Sequence, residues 1–180
     1  MNNIKYIGLK LKEKLIPTWF KNIIEPDFGL VNKRIKEFSK TLKPGSSILD
    51  AGAGHSPYKK YFSHCNYVAA DFVEHDKKGD NFQINIICDL EKLPFKNNTF
   101  DAIINTWVIE HIPNPEKMLN ELKRVLKPNG KIFITIPQGY MIHQEPYNFF
   151  YFTEYGIKIL LEKTKLRLNY MERIGVISGL

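Results

Sequence analysis

Residues 47–58 read SILDAGAGHSPY, and this stretch decides the fold. Ser47 to Leu49 open a short β run that ends on Asp50. Gly52 and Gly54 then let the backbone turn tightly and let a ligand approach without Cβ obstruction. In an open α/β sheet, ligands bind at the carboxyl ends of the strands near the topological switch point. A short helix expected over Pro57–Cys65 would present free N–H groups, which favour an anionic ligand group. A dinucleotide would ask for glycine at the sixth position of GxGxxG, where Pro57 stands, so a pyrophosphate ligand is disfavoured. No GK[ST] follows, which excludes a P-loop.

Outward from this stretch, β runs alternate with helical ones. NYVAAD (66–71) is the second strand, FQINIICDL (82–90) the third, FDAIINT (100–106) the fourth and KIFITIP (131–137) the fifth. FVEHDKKGD (72–80) is too short and polar for a full helix and reads as a loop or a single turn. A helix is expected from Pro115 to Leu126, stopped by Lys127-Pro128-Asn129-Gly130. Another starts on Thr153 as N-cap, with Glu154 in its first turn, and runs to Lys163. LRLNYMERIG (166–175) is a candidate sixth strand. The alternation predicts a doubly wound, Rossmann-like α/β fold with a mostly parallel sheet. Asp71 ends the second strand, where an acid accepts hydrogen bonds from ribose hydroxyls, and Asp89 ends the third, placed to receive the exocyclic amine of adenine. Acids at adjacent strand ends suit an adenosine ligand without phosphate, and a cationic one best.

The 180 residues, 43% hydrophobic and 25% charged, suffice for one domain with a core. That excludes a disordered tail, a fibre and a disulfide scaffold. No apolar run approaches the roughly 20 residues of a membrane-spanning helix, and MNNIKYIGLKLKEKLIP lacks the apolar core of a secretory signal. Cys65 and Cys88 show no CxxC and no His at metal-ligand spacing, so reduced thiols, a cytoplasmic location and no metal are expected. The net charge of +7 is unevenly placed: residues 1–43 hold ten Lys or Arg and four acids, the remainder sixteen and fifteen. The chain therefore divides into a basic helical lead-in, 1–43, with helices over 3–16 and 28–42, and a domain, 44–180. A nucleic-acid-binding stripe would not be segregated in this way. The lead-in, with Lys beside Ile, Leu, Trp19 and Phe20, reads either as a packing lid with a solvated Lys face or as a contact of residues 1–25 with an anionic membrane surface.

The runs ILDAGAGHSPY, YVAAD and CDLEKLPFKNNTFDAIINTWVIEHIPNPEKMLNELKRVLKPNGKIFITIP resemble a class I S-adenosylmethionine-dependent methyltransferase of the type-11 kind over residues 47–137. LPF-x3-TFD, the Glu-His after strand four and RVLKPNG recur in order. The resemblance implies a seven-stranded doubly wound fold and S-adenosylmethionine as cofactor. It implies that Asp50, Ala51, Gly52, Ala53 and Gly54 hold the methionine moiety, Asp71 the ribose, and Asp89 with Leu90 the adenine, while Asn105 and Thr106 line the methyl-donor channel. Ser56 stands where the fullest form of the motif has a third glycine. Downstream, PQGYMIHQEPYNFFYFTEYGIKILLEKTKL resembles a subgroup associated with glycan and cell-envelope biosynthesis, reading H-x-x-P-x-D-[FY]-[FW]-R-[FY]-T. The chain matches at His143, Pro146 and Thr153, but Asn148 replaces the acid and Tyr151 the common Arg. The family fold closes with a hairpin of strands six and seven. Because the chain stops at Leu180, the C-terminal strand pair is expected to be incomplete, through fragmentation or a shortened sheet.

Methyl transfer from a sulfonium is an in-line displacement from an already activated leaving group, so the protein mainly aligns the partners and excludes water. A base is needed only for an acceptor protonated at working pH. His111 and His143, after strands four and five, are the candidates; the plainer role for His111 is to cap the strand-four loop. His55, His64 and His75 read as surface or loop residues and Asp101 as structural. Tyr147, Phe149, Phe150, Tyr151 and Phe152 either line an acceptor pocket or pack their loop onto the domain. The expected activity is methyl transfer to a small molecule, a sugar or a lipid-linked glycan. The alternatives are transfer to another metabolite or RNA, and a non-catalytic cofactor-binding module.

Overall fold

A computed structural model describes residues 26–72, 84–138 and 142–173. The expected helix over 3–16, residues 1–25 as a membrane contact, His75 and most of the 72–80 loop lie outside the described residues. These fall into two compact units, residues 35–171 and a smaller one that includes 26–34 and 172–173. In the smaller unit the Arg34 guanidinium grips Glu172 with Nε and Nη2, each at 2.7 Å.

Helix α1 spans Pro26–Ser39. The sheet comprises β1 (Ser47–Ala51), β2 (Asn66–Asp71), β3 (Ile86–Ile87), β4 (Phe100–Thr106) and β5 (Leu126–Thr135). Helices α2 (Pro115–Val125) and α3 (Glu154–Lys163) follow β4 and β5. The order is β3-β2-β1-β4-β5 and every pairing is parallel, so the expected doubly wound α/β sheet is what the chain forms. From β1 the chain steps outward to β2 and β3, then crosses to β4 and β5 on the other side. The switch point lies between β1 and β4, where the 51–56 loop emerges.

Covering both faces explains the apolar strands. Ile48, Leu49, Ala102, Ile103 and Ile104 have no exposed surface. Helix α2 is amphipathic: Met118, Leu119, Leu122 and Val125 are buried, each contributing on the order of 1.5–3 kcal/mol, while Lys117 and Lys123 face solvent. Thr153 caps α3 as expected, its hydroxyl accepting from the Gly156 amide at 3.1 Å.

Several expected elements are shorter than their sequence pattern. The third strand contracts from 82–90 to Ile86–Ile87 among the described residues, because the Asp89 carboxylate accepts the Glu91 amide at 2.8 Å and turns the chain out of the ladder. Pro57–Cys65 forms only a 3-10 turn at Lys59–Phe62; Lys59, Tyr61 and Cys65 each donate to the carbonyl three residues back. Helix α1 ends at Ser39 rather than Leu42, where the Ser39 hydroxyl returns to Lys36 O at 2.9 Å. The segment 166–173 carries no strand, since Lys165 takes a left-handed φ of 55° and Leu166 N donates back to Leu161 O at 2.9 Å.

KPNG does not separate helix from strand either. Leu126 already pairs with Phe100, and the ladder resumes at Ala102 and Lys131, so residues 127–130 bulge. The bulge brings Lys127 Nζ to Asp101 Oδ1 at 2.9 Å, while Asp101 Oδ2 accepts the Ser47 amide at 2.8 Å. Asp101 thereby stitches β1, β4 and β5, the structural role its position predicts.

Arg124, in the last turn of α2, organises the 93–97 loop. Its guanidinium donates to Leu93 O at 2.9 Å, Phe95 O at 2.7 Å and Asn97 Oδ1 at 2.9 Å, and pairs twice with Glu121 at 2.7 Å. Lysine would keep the charge without the planar fork. Arg124→Lys is therefore expected to lower stability by about 1–3 kcal/mol, read as a lower urea midpoint; an unchanged midpoint would remove this network from the account.

Candidate functional site

The carboxyl ends of β1, β2 and β4 converge on one edge. Asp50 pairs in register with Ala69 and Ile104, so Asp71 and Thr106 lie two residues further toward the same edge. The loop after β1 is held at each end. Gly52 N and Ala53 N both donate to Ala70 O, at 2.8 and 3.1 Å, and Asn105 Nδ2 donates to Ala51 O at 2.7 Å. Gly54 N donates to Asp71 Oδ2 at 2.7 Å.

The two glycines differ in what surrounds them. Gly52 has φ 82°, and a Cβ there would stand 2.3 Å from Val108 Cγ2, so a side chain is excluded both by conformation and by contact. Gly54 has φ 48°, but a Cβ there would meet nothing within 4 Å. Beside Gly54 the loop therefore borders open space that a ligand can enter. Ser56, in place of the third glycine, also takes a positive φ, 51°.

Asp50 is 1% exposed. Its Oδ2 accepts the Tyr67 hydroxyl, and its Oδ1 is buried with no hydrogen-bond partner. Burial, with a smaller push from the Asp71 charge, raises its carboxyl from 3.8 to about 7. The same burial pushes the Tyr67 hydroxyl up, keeping it a donor. Asp71 and Thr106 are nearly buried, and Asn105 is fully so. Asn105 thus acts first on the loop, as a tie to Ala51. Asp89 is exposed and Leu90 buried.

A second cluster forms just beyond β4, in the 3-10 turn Ile109–His111. Glu110 is fully buried, and neither of its carboxylate oxygens has a hydrogen-bond partner. Burial raises its carboxyl to about 7 and lowers the His111 imidazole, with His143 adding to that lowering. The 3.7 Å approach of Glu110 Oε1 to His111 Nε2 is therefore not an ion pair near neutrality. His111 Nδ1 lies 2.8 Å from Tyr147 O, and a carbonyl only accepts, so Nδ1 carries the proton. Glu110 O accepts from Phe149 N at 2.9 Å and Phe150 N at 3.2 Å. These bonds strap the loop after β5 onto the turn after β4. They bring together the two histidines that the sequence placed after strands four and five: the ring centroids are 4.7 Å apart, edge to face.

Tyr147, Phe149 and Tyr151 of this loop are exposed, and the Asn148 amide is buried at both polar atoms with no partner. His55 is exposed, and His64 reaches Ser39 O at 3.2 Å. Sequence reasoning missed three participants. Tyr67 could have been flagged as the one phenol in a strand of small residues, and Glu110 as an acid in the apolar run Trp107–Ile112. Val108 carried no signal, because its role depends on where β4 exits relative to the first loop.

The Asp50 carboxyl titrates near 7 when folded, against 3.8 ordinarily, so the folded state holds an extra proton between those values. Stability should therefore fall as pH rises from about 4 to about 7. Asp50→Asn removes the Asp50 share of this dependence and leaves that of Glu110, whose carboxyl burial also raises to about 7. It is expected to match the parent near pH 4 and exceed it at pH 8 by on the order of 1–3 kcal/mol in urea unfolding; parallel profiles would contradict the buried carboxyl. Gly52→Ala is expected to lose about 1–3 kcal/mol, of which Val108→Ala in the same chain restores the steric share, as read by thermal melts.

Residues 49–134 match the family model described as a methyltransferase domain. A human protein named probable tRNA methyltransferase 9B is 33% identical over 113 residues, 57% of this chain and 24% of its own length. The demethylmenaquinone methyltransferase of Clavibacter sepedonicus is 37% identical over 99 residues, 50% of this chain and 40% of its own. The solved structure of a SAM-dependent methyltransferase from Aquifex aeolicus superposes with a TM-score of 0.55 at 24% identity, covering 74% of this chain and 78% of that one. The chain spans about a quarter of the length of the first curated relatives it matches. The match over residues 49–134, a little under half of the chain, is to a methyltransferase domain, and the parallel sheet shares the fold of the Aquifex aeolicus SAM-dependent methyltransferase.

Proposed function

We propose that this chain binds S-adenosylmethionine and transfers its methyl group to a small-molecule, sugar or lipid-linked glycan acceptor. The observation that carries the cofactor reading is Asp50 Oδ1, buried and without a partner at the mouth of the loop that Gly52 and Gly54 hold open. A buried carboxylate there is costly unless a cation meets it, and an α-amino group is such a cation. Asp50 to Gly54 would hold the methionine moiety, Asp71 the ribose, and Asp89 with Leu90 the adenine. The bound cofactor supplies an activated methyl group. The protein's share is alignment, exclusion of water and, for a hydroxyl acceptor, removal of a proton.

His111 suits that last task. Its proton is fixed on Nδ1 by Tyr147 O, which leaves Nε2 as a basic lone pair, and burial keeps the ring neutral. His143 stands against it. The Asn148 amide and the exposed rings of Tyr147, Phe149 and Tyr151 support an acceptor that offers both hydroxyls and an apolar face, as a sugar does. A lipid-linked acceptor would place the chain at a membrane surface, with the basic residues 1–25 as the contact. No helix among the described residues is long and apolar enough to cross a membrane.

Calorimetry at pH 8 tests the first half of the reading. S-adenosylmethionine is expected to bind, with Asp71→Ala weakening it at least ~10-fold. Affinity should fall as pH drops below about 7 and Asp50 gains its proton, by up to roughly tenfold per pH unit, and Asp50→Asn should flatten that profile. Absence of binding at any pH would sink the proposal. Release of S-adenosylhomocysteine in the presence of sugar nucleotides, lipid-linked saccharides or tRNA then sorts the acceptors. Turnover with tRNA alone would favour the RNA reading that the tRNA-named relatives motivate, and turnover with none would favour a binding module.

A further inference from the structure

We propose that Glu110, His111 and His143 form a site for one divalent transition-metal ion of the zinc kind, assembled where the loop after β5 is strapped onto the turn after β4. One ligand atom from each residue lies within 4.8 Å of the others. Glu110 Oε1 and His111 Nε2 are 3.7 Å apart, too long for a hydrogen bond. That spacing is close to the ~3.4 Å that separates two ligands of a tetrahedral ion with bonds of about 2.1 Å.

The state of the donors supports the same conclusion. Both Glu110 oxygens and His111 Nε2 are buried without a hydrogen-bond partner, although buried polar atoms are almost always paired. Three such acceptor atoms beside one another ask for a cation. The hydrogen bond from His111 Nδ1 to Tyr147 O is the outer-shell contact that metal-binding histidines make, fixing the tautomer and aiming Nε2 inward. The amides of Phe149 and Phe150 on Glu110 O hold the two segments together, so the site does not have to be gathered from separate loops.

The donor set selects the ion. One carboxylate and two imidazoles suit Zn²⁺ or Co²⁺, whereas Mg²⁺ and Ca²⁺ require oxygen ligands. Three protein ligands leave one tetrahedral position open, the arrangement of catalytic rather than structural sites. An acceptor hydroxyl bound there would lose its proton to solvent more readily, and with the ion in place His111 Nε2 serves as a ligand rather than as the base. The metal site itself stands on the cluster alone; only this use of the open position rests on the methyl-transfer reading.

Untagged full-length protein, stripped with a chelator and titrated with Co²⁺, tests the site. About one equivalent is expected to bind with the intense visible bands of a low-coordinate ion, and Zn²⁺ to displace it. Glu110→Gln and His143→Ala should each weaken Co²⁺ binding at least ~10-fold, while His64→Gln, away from the cluster, should leave it unchanged. If Glu110→Gln fails to fold, His143→Ala, on a loop and half-buried, decides alone, with its melt as control. The proposal is overturned if Co²⁺ does not bind, or binds His143→Ala as tightly as the parent. Calorimetry of the metal-free protein with S-adenosylmethionine keeps the two readings separable, since cofactor binding without metal binding overturns this one only.

Discussion

The loop after β1 has to reverse directly against Val108, and only a residue without a Cβ can do so. That steric demand at Gly52, where a Cβ would stand 2.3 Å from Val108 Cγ2, fixes the path of the loop. The remaining contacts follow from it. The amides of Gly52 and Ala53 fall on Ala70 O, Gly54 N falls on Asp71, and Asn105 reaches Ala51 O. Three neighbouring strands are therefore tied together at the switch point, and the open space beside Gly54 is a consequence of that tie.

The same geometry concentrates buried acid. Asp50 and Glu110 both have their carboxyls raised to about 7 by burial, and both keep carboxylate oxygens without partners. Uncompensated groups of this kind reduce stability, and they persist where a ligand supplies what the fold withholds. Asp101 is the contrast. It is a half-buried acid whose oxygens meet Lys127 and the Ser47 amide, its carboxyl is lowered rather than raised, and its work is to hold strands. Acids on neighbouring strands thus divide into paired and unpaired ones by environment, not by residue type.

Much of the fold was legible in the chain. The strands at 47–51, 66–71 and 100–106 are continuous apolar runs because both faces of the sheet are covered, and the Thr153 cap is visible in its own side chain. What failed to read correctly was local turn chemistry. The Asp89 carboxylate cuts the third strand to Ile86–Ile87. Lys165 in a left-handed conformation ends α3, with Leu166 N donating back to Leu161 O, and no strand follows over 166–173. KPNG, which signals a stop, is instead absorbed as a bulge because Leu126 has already joined the ladder.

By itself, then, the sequence determined which residues crowd the strand ends: Asp50, Gly52, Gly54, Asp71, Asn105 and Thr106 follow from hydrophobic runs that terminate in turns, a property of neighbours along the chain. It also marked SILDAGAGHSPY as a tight glycine turn without the sixth-position glycine of a pyrophosphate loop. Only the tertiary structure decided that Val108 backs Gly52, that Tyr67 holds Asp50, and that Glu110 and His111 meet His143. Those contacts join segments far apart in sequence through strand register and a strapped loop. Distance along the chain carries no information about them, because the sheet alone sets which strand ends stand side by side.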